Sequence, residues 1–370
     1  MKVVIAAAGT GGHINPGIAI ANKIKEENPK AKITFIGTYK GLENDLVPRA
    51  GYDLKRIEVY GISRSFSISN IKKMIKTTLA FGKAKKLIKE LNPDIVIGTG
   101  GYICGPVILA AHKYKIPTIL HESNAFPGMT VKLLSKKVNT ILVGFKEAAS
   151  ALPKAKNVVV TGTPTKIKNV DISPAKKEEI KASLGIKSNK PMVLVFGGSQ
   201  GAQRINETLM SIIENKLNTQ YQFIWATGPK QYDIIKEEFD KKHQNINRIE
   251  NTKIIPYIYN MEEIMNLCDL VICRSGAMTI TEISMIGKPA IFIPLSTAAE
   301  NHQEYNARVL VKVNAAKIVL DKELNAEDLN EMINSLIKNP EELKQMGQNA
   351  KKIIIYQVED KIYEEIKKLV

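Results

Sequence analysis

Three cysteines, one tryptophan and 6% aromatic residues in 370 positions leave several protein classes without material. Cys104, Cys268 and Cys273 are scattered, in no metal-binding spacing and too few for a disulfide framework, so neither a zinc site nor a stapled scaffold is expected. Free thiols of this kind usually serve as small buried hydrophobes in a reducing compartment. No stretch approaches the roughly 18–20 apolar residues that a spanning helix needs. The amino-terminal run MKVVIAAAGTGGH meets glycine too early to form a secretory core. The chain is therefore expected in the cytosol, with any membrane contact peripheral. Short-period repeats, low-complexity tracts and D-x-D metal motifs are also missing.

What is present is core-forming material, 44% hydrophobic and 24% charged, enough to exclude disorder. The length suits two domains at roughly 150 residues each. The net charge of +16 points to anionic partners such as nucleic acid, a membrane surface or phosphorylated ligands. It is unevenly placed: residues 1–160 hold 25 Lys and Arg against 10 Asp and Glu, and the remainder 28 against 27. Continuous apolar strands alternate with helical segments in both halves, from Val3–Ala8 to Val158–Thr161 and from Met192–Phe196 to Ala316–Val319. That pattern predicts α/β architecture, with two doubly wound, Rossmann-like parallel-sheet domains facing a cleft. The boundary is expected near Gly162-Thr163-Pro164, giving domains over 1–162 and 163–340. The helical, Lys- and Glu-rich segment 341–370 has no following strand and could pack on either domain.

Glycine loops follow strands at Gly9-Thr10-Gly11-Gly12-His13, at Gly98-Thr99-Gly100-Gly101-Tyr102 and at Gly197-Gly198-Ser199-Gln200-Gly201. Each alone could be a tight strand-to-helix turn. Three together suggest phosphate sites built from backbone amides and helix starts, at least one per domain. A dinucleotide site is disfavoured because the second strand ends Phe35-Ile36-Gly37-Thr38, with no acid for a ribose diol. A fourth segment, Arg274-Ser275-Gly276-Ala277-Met278-Thr279, follows a strand and opens a helix with Ser275 as a plausible cap. Glu282, one to two turns in, could accept both hydroxyls of a ribose; an isolated Glu there would more simply be a surface acid.

Five segments, GTGGHINP (9–16), HESN (121–124), GGSQGA (197–202), RSGAMTITE (274–282) and ENHQEYNAR (300–308), resemble in order the motifs of the MurG family. Its members are undecaprenyldiphospho-muramoylpentapeptide β-N-acetylglucosaminyltransferases of peptidoglycan synthesis. The resemblance implies a GT-B fold and an inverting transfer that needs no metal and no cofactor. GlcNAc would pass from UDP-GlcNAc to the C4 hydroxyl of MurNAc in lipid I, giving lipid II. It further implies that the near-neutral second domain binds the donor. Ser199, Ala277, Met278 and Thr279 would meet the nucleotide diphosphate, the Ile258 backbone uracil, Glu282 the ribose and Gln303 the sugar. Thr10, Gly11, Gly12 and Asn124 would close over the donor from the first domain. Lys166 stands where the family commonly has Arg, keeping the charge but losing bidentate geometry. Ser123 stands where many members have Gln.

Inverting transfer requires a base for the acceptor hydroxyl and stabilisation of departing UDP, which helix starts and amides can provide. An imidazole titrates near neutrality, so His13 suits the base; Glu122 is the other candidate, though it could instead hold a loop. Tyr102, with Gly100 and Gly101, is expected to contact the acceptor. A lipid-linked acceptor also demands membrane contact. Phe66–Glu90 interleaves Ile71, Met74, Ile75 and Leu79 with seven lysines and carries no acid between Phe66 and Lys89. At helical spacing it reads as an interfacial helix for the anionic inner membrane surface, or as a surface helix packed on its own sheet. The first segment would then be an acceptor- and membrane-binding domain at the cytoplasmic face, and 341–370 would pack back on it. Competing readings are another GT-B enzyme, such as a glycolipid glycosyltransferase or a UDP-GlcNAc 2-epimerase, and a nucleic-acid-binding protein. The last has no recognisable module behind it, so no nucleic-acid partner is expected.

Overall fold

The structure, a computed structural model, describes residues 1–59, 68–165, 167, 172–186, 189–198 and 201–370, with residues 68–78 described by their backbone alone. The chain forms two compact units, Met1–Lys166 with Ile355–Val370, and Ile167–Ile354.

The first unit runs β1 (Lys2–Ala7), α1 (Gly11–Glu27), β2 (Lys32–Gly37), α2 (Glu43–Arg49), β3 (Asp53–Arg56) and α3 (Ile68–Leu91). It continues β4 (Ile95–Gly100), α4 (Cys104–Lys113), β5 (Thr118–Glu122), α5 (Met129–Leu134), β6 (Thr140–Val143), α6 (Lys146–Ser150) and β7 (Val158–Val160). Its seven strands lie in the order β3-β2-β1-β4-β5-β6-β7, and every pairing is parallel. Both faces of the sheet are covered, which is why its central strands are apolar throughout rather than alternating. Val4 and Ala6 of β1 pack on one face with α3 and α4, while Val3, Ile5 and Ala7 pack on the other with α1.

The second unit runs α7 (Pro174–Ser183), β8 (Met192–Phe196), α8 (Gln203–Glu214), β9 (Gln222–Ala226), α9 (Pro229–Lys241), β10 (Thr252–Ile255) and α10 (Met261–Leu267). It then adds β11 (Leu270–Cys273), α11 (Ala277–Ile286), β12 (Ala290–Phe292), α12 (His302–Lys312), β13 (Ala316–Ile318), α13 (Ala326–Ile337) and α14 (Pro340–Lys351). Its six parallel strands lie in the order β10-β9-β8-β11-β12-β13. Trp225 is fully buried and donates its indole N–H to Asn206, whose amide bonds the Thr227 carbonyl, so one tryptophan ties α8 to the end of β9.

The last helix, α15 (Val358–Lys367), belongs to the first unit. Val358, Ile362 and Ile366, spaced four apart, bury one stripe beside α1. The carboxy-terminal segment does not move as a block from 341, as the sequence suggested: α14 stays with the second unit, because Gly347 packs directly on the Gly287 carbonyl at the end of α11. The first unit carries 29 Lys and Arg against 14 acids and the second 24 against 23, so the charge asymmetry follows the structural units.

Two elements differ from the sequence reading. β3, Asp-Leu-Lys-Arg, is an edge strand whose polar side chains gave no apolar run. α1 begins at Gly11, inside the segment that reads as a glycine loop in the sequence, although Pro16 has no N–H to offer the Gly12 carbonyl. His13 therefore sits on the first turn of a helix and not in a loop.

Candidate active site

In each sheet the chain reverses its direction of progress once, between β1 and β4 and between β8 and β11. Ligands of open α/β sheets bind at such points, outside the carboxyl ends of the strands. The loops after these four strands are the four glycine-containing segments found in the sequence, and α1, α4, α8 and α11 follow them. None of these helices has a side-chain cap or an acid in its first turn. By contrast, α13 and α14 begin with Asn325 and Asn339 caps and two acids each. Among the described residues, first-turn amides of α1, α8 and α11 stay free and give the positive potential that an anion requires, whereas in α4 the Cys104 and Gly105 amides bond the Gly101 and Tyr102 carbonyls.

In the first unit, Thr10 is the exposed residue before α1, and Gly11, Gly12 and His13 form its first turn. The half-buried His13 ring places Nδ1 3.0 Å from the Ala8 carbonyl oxygen. A carbonyl only accepts, so Nδ1 carries the proton and Nε2 of the neutral ring keeps its lone pair. The ring lies over Gly100, where any Cβ would collide with it, and a Cβ on Gly101 would strike the Ala8 carbonyl. These two glycines let the β4 loop close against the β1 loop. The Thr99 hydroxyl, buried beneath, donates to the His13 carbonyl at 2.8 Å. Tyr102, on the same loop, is 61% exposed.

Glu122 ends β5 and is buried. One oxygen accepts the backbone and side-chain N–H groups of Asn124 at 2.9 and 3.0 Å, and the other accepts the Gly128 amide at 2.8 Å. Both oxygens thus hold the loop that presents Asn124. His121 beside it is buried, donates from Nε2 to the Gly162 carbonyl, and burial pushes its imidazole down to about 4.

In the second unit, Gly276 rather than Ser275 caps α11. Ser275 is buried and turns away, its hydroxyl donating to the Gln303 carbonyl at 2.8 Å. Gln303, on the first turn of α12, accepts the Leu295 amide with its side-chain oxygen, and its amide nitrogen has no partner among the described residues. Ala277, Met278 and Thr279 form the opening turn of α11, with Ala277 buried and the other two half-buried. No described residue hydrogen-bonds the Glu282 carboxylate, and desolvation raises its pKa from 4.5 to about 7. Ile258 is buried in the loop after the edge strand β10 and is bonded to neither α11 nor α12 among the described residues. Lys166 and Ser199 lie outside the described residues, as do the side chains of Ile71, Lys72, Lys73, Met74, Ile75 and Lys76.

With this geometry established, likeness to known proteins is informative. Residues 3–143 match the glycosyltransferase family 28 N-terminal domain, and residues 192–362 match its C-terminal domain. The chain belongs to glycosyltransferase family 28.

The family resemblance runs end to end. A UDP-N-acetylglucosamine--N-acetylmuramyl-(pentapeptide) pyrophosphoryl-undecaprenol N-acetylglucosamine transferase of Ruminiclostridium cellulolyticum is 43% identical, with 100% of each chain covered. The crystal structure of Acinetobacter baumannii MurG is 28% identical, covers 99% of both chains and superposes with a TM-score of 0.78. A Listeria monocytogenes structure assigned as a UDP-N-acetylglucosamine 2-epimerase, at 16% identity and TM-score 0.68 over 99% of this chain and 95% of that one, shares the fold alone. The GT-B architecture expected from the motifs is thus the architecture found.

Two features of the family 28 site escaped the sequence. Arg274 donates to the carbonyls of Ile293 and Pro294 and pairs with Asp321 at 2.6 Å, clamping the loops after β11, β12 and β13. Glu43 reaches the end of β2 from α2, where the strand itself offers no acid, and accepts the Gly9 amide at 2.9 Å. Burial works to raise its pKa, but the Thr38 hydroxyl and the Gly9 and Thr38 amides outweigh this and lower it. The signal available was an acid set among Gly37, Thr38 and Gly41, close enough in sequence to fold back on the strand end.

Proposed function

We propose that this protein transfers GlcNAc from UDP-GlcNAc to the C4 hydroxyl of MurNAc in undecaprenyl-diphospho-MurNAc-pentapeptide, with inversion at the anomeric carbon, forming lipid II. The observation that carries the reading is on α11, where a first turn without a side-chain cap or an acid is followed by a carboxylate with no hydrogen-bond partner among the described residues. The amides of Ala277, Met278 and Thr279 take the donor diphosphate, and Glu282 accepts the ribose diol. The Gln303 amide nitrogen serves the sugar, and Ile258 supplies backbone contacts to uracil. Ser199 and Lys166 are assigned to the phosphates on the motif match. On the motif match, Thr10, Gly11, Gly12 and Asn124 are assigned to the donor, and we assign Gly100, Gly101 and Tyr102 to the acceptor.

His13 is the base. Its Nε2 lone pair takes the C4 hydroxyl proton as that oxygen attacks the anomeric carbon, and the C1–O bond to UDP breaks with its electrons going to the diphosphate. The negative charge that develops there is met by the α11 amides. Glu122, with both oxygens engaged, positions Asn124 rather than moving a proton. No described helix is long and apolar enough to cross a membrane, and we place the enzyme peripherally at the cytoplasmic membrane face. Support comes from α3, on which Leu79 is 62% exposed while Ala80, Ala84 and Ile88 pack inward.

The test is incubation with UDP-GlcNAc and a lipid I analogue without added divalent metal. Disaccharide and UDP are expected in equal amounts, with no turnover when the acceptor is omitted. A ManNAc product from UDP-GlcNAc alone would instead identify a 2-epimerase.

A further inference from the structure

A buried carboxylate without a cation is costly unless its acceptor capacity is filled. Glu43 is fully buried, and no described cation pairs with it. Its Oε1 accepts the Thr38 amide at 2.8 Å and the Thr38 hydroxyl at 2.6 Å. Its Oε2 accepts the Gly9 N–H at 2.9 Å. Space has been cleared for it: a Cβ on Gly41 would fall on the carboxylate and one on Gly37 would lie 2.6 Å from its Cγ. A first-turn acid favours the start of α2, but that role is filled equally well by an exposed side chain.

The Gly9 N–H belongs to the same peptide group as the Ala8 carbonyl, and that carbonyl accepts the His13 Nδ1–H at 3.0 Å. We propose that Glu43 is a positioning residue for His13, acting through the Ala8–Gly9 peptide group. Carboxylate, peptide and imidazole form one hydrogen-bonded series, Glu43 Oε2 to Gly9 N–H and Ala8 C=O to His13 Nδ1–H. A peptide is conjugated across its C–N bond, so an anion on the N–H side increases electron density on the carbonyl oxygen. That strengthens the bond to Nδ1–H, fixes the tautomer with Nε2 free, and stabilises the imidazolium formed when Nε2 takes a proton. The arrangement does what the acid of a catalytic triad does for its histidine, with a peptide inserted between the two. A second tether, Leu42 N–H to the Gly9 carbonyl at 3.1 Å, holds the next peptide group in place.

This inference rests on His13 being the base, and a double-mutant cycle in the full chain separates the two claims. The variants are Glu43→Gln, His13→Ala and the pair, assayed with saturating UDP-GlcNAc and lipid I analogue. A glutamine cannot accept from both Gly9 and Thr38. Glu43→Gln is expected to lower kcat about tenfold with the UDP-GlcNAc KM changed less than about twofold, and to alter the residual kcat of His13→Ala less than about twofold. The same tenfold loss in the His13→Ala background overturns the proposal, as does a raised KM with kcat unchanged. A wild-type kcat in His13→Ala removes the base assignment itself, a distinct result. Should Glu43→Gln fail to fold, Thr38→Ala removes one donor from the far oxygen without touching Gly9 or His13. It is expected to lower kcat about two- to threefold only where His13 is present, and an additive loss overturns the proposal.

Discussion

Glu282 and Glu43 are both withdrawn from water, yet their carboxylates are shifted in opposite directions. Glu43 is supplied with three donors and its pKa falls, whereas Glu282 has none among the described residues and its pKa rises to about 7. For Glu282 the folded state keeps a proton that the unfolded chain releases above about 4.5. Its contribution to stability is therefore fully present below that pH, declines as pH rises, and is lost beyond about 7. Glu282→Gln is expected to gain stability relative to the parent across this window, little at pH 4 and most above pH 7, as read by thermal melting. The same substitution removes the carboxylate that we assign to the ribose diol. UDP-GlcNAc affinity is expected to fall about 10- to 100-fold at pH 8, consistent with roughly 1.5–3 kcal/mol for hydrogen bonds to a charged group. In the parent, affinity is expected to weaken as pH drops below about 7, whereas the Gln variant stays flat; calorimetric titration across pH checks both. Glu282 could be picked out as a candidate from its motif alone. Glu43 could not, because what matters is which amide its carboxylate reaches, and only the folded β1 loop shows that.

At the scale of elements, burial decided what could be read. Strand β8 has the limits expected from the sequence, Met192–Phe196, because it is buried on both faces and continuously apolar. β3 was invisible for the opposite reason, since an edge strand with exposed Asp, Lys and Arg leaves no apolar signature. The start of α1 was misplaced because Gly11, Gly12 and Pro16 read locally as helix breakers, while packing of Ile14 and Ile18 on the sheet holds the first turns. α15 gives this scale its prediction. Ile362 is almost fully buried in the first unit, so Ile362→Ala should cost about 2–5 kcal/mol. In calorimetry the transition of the first unit is expected to drop while that of the second stays in place. A uniform shift of both would contradict the assignment of α15 to the first unit.

For the whole molecule, the charge asymmetry is divided as the chain is: nearly all of the +16 sits in the first unit, and the second is close to neutral. A donor held by amides, helix starts and one carboxylate needs no excess of lysine, whereas an anionic membrane surface attracts one. Charge reversal at Lys72, Lys73 and Lys76 is expected to weaken binding to anionic vesicles about tenfold or more, at roughly 1 kcal/mol per lysine before screening. UDP-GlcNAc affinity should be unchanged, and sedimentation with vesicles alongside calorimetry reads both. Unaltered vesicle binding would assign that helix to packing alone. The central claim, inverting transfer to a lipid-linked MurNAc, is tested most directly by proton NMR of the product formed from UDP-GlcNAc and a lipid I analogue. A single β-configured GlcNAc on the C4 oxygen of MurNAc is the predicted result. An α linkage, or no disaccharide at all, would contradict it.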